Sequence, residues 1–90
     1  MQKAIITAVG KNTSGIIARV ATKLAEEKID ILDISQTIVH GFFNMMMIVD
    51  MEECHKPFSD IAEDMEKIGE EKGIQIKCQR EEIFNKMHRL

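Results

Sequence analysis

Val9-Gly10-Lys11-Asn12-Thr13-Ser14-Gly15-Ile16 is the stretch where the chain changes its hydrophobic period. Before it, Ala4 to Val9 is a mostly apolar run of strand length. After it, Ile16, Ile17, Val20, Ala21, Leu24 and Ala25 recur at helical spacing. Two glycines enclosing polar residues make this a strand-to-helix turn, with Thr13 or Ser14 as the helix N-cap. The first amides of a helix have no partner inside it and lie at its positive end, where they can hold a carboxylate or a phosphate. Asn12 favours an Asx-turn, and Gly10 and Gly15 permit close approach of a ligand to the backbone. The same residues also make a tight, capped turn that binds nothing, and the turn alone does not choose between the two.

Working outward, Ala4 to Val9 is apolar on both faces, with Ile5 and Val9 on one and Ala4, Ile6 and Ala8 on the other, as in a central strand. The first helix runs to about Lys28. Ile31 to His40 alternates, with Leu32, Ile34 and Ile38 on one face and Asp33, Ser35 and Thr37 on the other, as in a half-exposed edge strand. Gly41 turns the chain into a third strand, Phe42 to Val49, which is apolar on both faces. Met51 to Lys56 is a polar loop. Pro57 suits the first turn of a second helix carrying Phe58, Ile61, Ala62, Met65, Ile68 and Gly69, and Gly73 suits its C-cap. A fourth strand, Ile74 to Gln79, directs Ile74, Ile76 and Cys78 inward, and Glu81 to Leu90 repeats Ile83, Phe84 and Met87 at helical spacing.

The order βαββαβ, with central strands one and three, predicts an α+β fold of ferredoxin-like type. It is a four-stranded antiparallel sheet in order 4-1-3-2, with two helices on one face and a short C-terminal helix. Ninety residues make one domain, 1–90. Strands one and three are apolar on the side without helices, which predicts a homodimer. A formal charge of −3 argues against nucleic-acid binding, and no apolar run reaches the length of a membrane span, so a cytoplasmic location is expected. Phe42 and Phe43 face opposite sides without basic neighbours, which excludes base stacking on the sheet. Cys54 and Cys78 suggest no disulfide framework. Cys54, His55, His40, Cys78 and His88 lack metal-ligand spacing, so neither metal nor cofactor is expected.

Gly10-Lys11-Asn12-Thr13-Ser14-Gly15-Ile16, together with Asp33-Ile34-Ser35-Gln36-Thr37 and Ile83 to Leu90, resembles the ACT domain, a small-molecule-sensing regulatory module. The likeness is to the stand-alone single-ACT-domain proteins of bacteria and archaea and covers nearly the whole chain. It implies a non-enzymatic sensor that binds a small ligand, typically an amino acid, at a homodimer interface and acts on an unidentified regulated protein. The positions it implicates are Gly10, Asn12, Thr13, Ser14, Gly15 and Ile16, with Asp33, Ser35 and Gln36 contributed by strand two. Asn12 stands where the family commonly has aspartate; it keeps a capping acceptor and removes a charge. Two alternatives remain at this level. One is an acylphosphatase-like hydrolase using Arg19, against which stand the glycine spacing and the lack of an asparagine on strand two. The other is a protein–protein adaptor without ligand.

Overall fold

The computed structural model describes residues 2–11 and 14–81. Asn12, Thr13 and nearly all of the expected C-terminal helix lie outside the described residues. The elements follow the expected order: β1 (Lys3–Lys11), α1 (Ile16–Glu26), β2 (Asp30–Val39), β3 (Phe42–Asp50), α2 (Phe58–Lys72) and β4 (Ile74–Arg80). They form one antiparallel sheet in the order β2-β3-β1-β4, the expected 4-1-3-2 read from the other edge.

Alternation in β1 and β3 sets the core. Ala4, Ile6 and Ala8 pair with Val49, Met47 and Met45, so all six share the face beneath the helices, and all six are buried. Val20 and Leu24 of α1 and Ile61, Met65 and Ile68 of α2 close over them. The first helix presents these residues as a single stripe. At Gly69 a Cβ would collide with the Ile74 carbonyl oxygen, so the absent side chain is what lets α2 lie against β4. The hairpin between β2 and β3 turns on His40 and Gly41, both at positive φ, the mirror-image turn that matches strand twist.

Three details differ from the sequence reading. The N-cap of α1 is Gly15, at φ 82° and ψ 6°, and not Thr13 or Ser14. β2 is exposed along its entire length, not only on one face. Leu32 also interrupts its alternation: Ile31 pairs with Val49 and Asp33 with the next residue back, Ile48, leaving Leu32 as a bulge. The helical layer does not extend over this edge strand, so Ile34 and Ile38, which pair with the core residues Met47 and Phe43, stay 42% and 58% exposed on the helix side.

Candidate functional site

The turn after β1 is built by two glycines that serve different ends. A Cβ on Gly10 would sit 3.1 Å from both the Ile74 Cα and its Cγ1, and 3.3 Å from the Gly73 carbonyl oxygen. The space at Gly10 is therefore used by the start of β4, not left for a ligand. Gly15 is the reverse case: nothing lies within 4 Å of where its Cβ would be, and its left-handed backbone requires the glycine. Its carbonyl accepts the Arg19 amide at 2.9 Å, starting α1.

This helix start has no side-chain cap hydrogen bond and no acidic residue in its first turn. The positive end of α1 is thus unneutralised by its own sequence among the described residues, beside exposed Ser14 and Gly15. Ile16 is buried in the core, so it can offer a ligand only its backbone. Arg19 Nε lies 3.6 Å from Glu71 Oε2, so that side chain is engaged across the helical layer with α2. Asn12 and Thr13 lie outside the described residues.

The strand-two residues do not join the turn within one chain. Gly10 pairs with Phe43, which pairs with Ile38, whereas Asp33 pairs with Ile48, five steps further along β3. At strand rise this places Asp33 roughly 17 Å along the sheet from the turn, with β3 between them. Ser35 and Gln36 line a shallow groove of about 260 Å³ on the sheet, beside Thr7, Thr37, Asn44 and Met46. Asp33 acts locally through its Oδ1, which accepts the Ile34 amide at 2.8 Å and so occupies a donor on the edge strand beside the bulge.

Apart from Val9 on the central strand β1, the exposed large apolar residues among those described gather at this same edge. Ile31, Leu32, Ile34, Ile38 and Val39 belong to β2, and Phe42 and Met46 to the adjoining β3. The open face is apolar as expected but unevenly bare: Val9, Phe42 and Met46 are exposed on it, whereas Ile5 is buried and Ile48 half-buried. Both cysteines are free and half-buried, and burial pushes the Cys78 thiol up to about 11. Among the described residues no three His, Cys, Asp or Glu side chains lie together as a metal site would require, and no helix is long and apolar enough to cross a membrane. A larger cavity lies at the opposite end of the sheet. Its lining comes from the start of β1, the end of β4 and the β3–α2 connection, and no local motif in the sequence signals it.

Comparison with known proteins identifies the family to which this topology belongs. The ACT domain family model matches residues 2–79, and the chain belongs to that family. A UPF0237 protein of Bifidobacterium longum is 56% identical over 90 residues, covering all of both chains. An ACT domain protein from Streptococcus pneumoniae superposes with a TM-score of 0.80 at 41% identity, over 92% of this chain and 93% of that one. The regulatory subunit of aspartate kinase from Thermus thermophilus shares the fold, with a TM-score of 0.66 at 24% identity over 87% of this chain and 50% of that one. ACT domains typically bind amino acids or other small ligands in regulatory roles.

Proposed function

We propose that this chain is a non-enzymatic sensor that binds an amino acid between two copies of itself. The uncapped, acid-free N-terminus of α1 behind Gly15 carries the reading. Its amides suit the ligand's carboxylate, with Asn12, Thr13 and Ser14 supplying polar contacts. The second copy comes from the β2 edge. Exposed apolar side chains border the open edge of β2 there, and edge-to-edge pairing covers both features at once.

Such pairing also accounts for the separation of the two half-sites. Asp33 already fills the Ile34 amide, so a ladder would run over Ser35 to Val39. A twofold axis across that segment inverts the partner strand and carries its Asp33 end toward this subunit's turn. The free oxygen of Asp33, with Ser35 and Gln36, then suits the ligand's amine. Ligand binding favours one dimer geometry over others by its differential affinity, and a regulated protein reads that geometry. Cytoplasmic action fits this scheme.

Titration calorimetry of the dimer with each of the twenty amino acids tests the site. One or more binds the wild type with saturable heat, and Asn12→Ala or Asp33→Ala weakens binding at least tenfold while the dimer persists. No saturable heat with any amino acid would leave the adaptor reading as the better one.

A further inference from the structure

At the end of the sheet opposite the Gly10–Ile16 turn, the start of β1, the β3–α2 connection and the end of β4 enclose a cavity of about 570 Å³, a volume typical of small-molecule sites. Among the described residues, three basic side chains line it, Lys3, Lys56 and Arg80, against one carboxylate, Glu81. The three cations are not equally engaged. Lys56 is held by Glu27 at 2.9 Å and Asp64 at 3.2 Å. Lys3 meets Glu81 only at 3.9 Å, with both side chains well exposed.

Arg80 has no carboxylate partner among the described residues. Its guanidinium carbon lies 5.1 Å from the centroid of the Phe58 ring, which also lines the cavity. Stacking of this kind fixes the guanidinium plane through its face and leaves its N–H edge free. That edge matches the paired oxygens of a carboxylate or phosphate.

We propose that this cavity is a second ligand site, for a small organic oxyanion bearing a carboxylate or a phosphate. Arg80 grips two of its oxygens, Lys3 supplies the second positive charge, and Phe58 covers its apolar part. None of these residues belongs to the α1 turn or to β2, so the two sites stand or fall separately.

Nuclear magnetic resonance titration of the full chain with inorganic phosphate and, separately, with malonate tests it. Expected are saturable shifts of the Lys3, Phe58 and Arg80 amides at millimolar anion, at least tenfold weaker in Arg80→Gln and tighter in Glu81→Gln. Arg80→Lys keeps the charge without the fork and retains part of the affinity, and a dispersed spectrum certifies that each variant is folded. A response to phosphate alone assigns a phosphate ligand, and one to malonate alone a carboxylate. Absence of saturable shifts with both anions, shifts confined to Ser14–Ile17, or unchanged binding in folded Arg80→Gln would overturn the proposal.

Discussion

At Gly10 the missing side chain serves the protein's own packing, since Ile74 and Gly73 occupy the space a Cβ would need. Gly10→Ala therefore overpacks the β1–β4 contact and lowers stability by about 1–3 kcal/mol, measurable as a drop in thermal midpoint. Gly15→Ala acts by another route: the space is open there, but φ 82° strains any L side chain, at about 1–2 kcal/mol. The sequence shows that both positions are glycine without distinguishing these reasons, because the difference lies in what stands opposite each one. For Gly10 that neighbour is far along the chain, at the start of β4. The N-cap departs from the sequence reading for a related reason. Thr13 and Ser14 have the right side chains for capping, but the left-handed backbone of Gly15 starts the helix without one. Cys78 gives a further residue-level outcome. With its thiol raised to about 11 by burial, little of it is thiolate at pH 8, so it alkylates more slowly in the native protein than in the unfolded chain, measurable by mass spectrometry of the labelled protein.

Among the elements, β2 separates what patterning can and cannot show. Its period-two alternation marks an edge strand, and the sheet order confirms that position. Alternation identifies faces but not how far the helical layer reaches, so the exposure of Ile34 and Ile38 on the helix side is not legible in it, nor is the bulge at Leu32. The end of α1 is fixed by charge. Lys23 pairs with Glu27 at 3.3 Å and Asp64 at 3.5 Å, and Lys56 joins both carboxylates, tying α1, the β3–α2 connection and α2 together. The hydrogen bond from Lys56 is the main cause holding Glu27 below its ordinary 4.5. Burial pushes Asp64 up, but its pairs with Lys56 and Lys23 outweigh that and leave it below 3.8. A carboxylate whose pKa is lower in the folded state contributes fully above its unfolded value and loses that contribution as pH falls through the folded one. The thermal midpoint thus declines as pH drops below about 4.5, and Lys56→Gln makes that decline shallower. Lys56 itself, raised by Glu27 and then Asp64, keeps its contribution below 10.5 and loses it only in strong alkali.

For the whole molecule, the shape follows from its layers: 19 Å in the thinnest direction, one sheet and one layer of helices. A sheet covered on one side leaves an open face and two edges, and the exposed apolar side chains favour the β2 edge as the place for a second copy. Ile38→Lys puts a charge into that border and should yield a folded monomer of 10.3 kDa by sedimentation equilibrium, where the wild type shows twice that mass. If the α1 turn of one subunit and β2 of the other make one ligand site, binding requires the dimer. A thermal-shift panel of the twenty amino acids on wild type and Ile38→Lys tests this most directly. At a hundredfold excess over its dissociation constant, a ligand adds about 2.7 kcal/mol to the wild type, and the monomeric variant should show little of that gain. A panel in which no amino acid shifts the wild type, or in which the same amino acid shifts both proteins equally, would contradict a site shared between subunits.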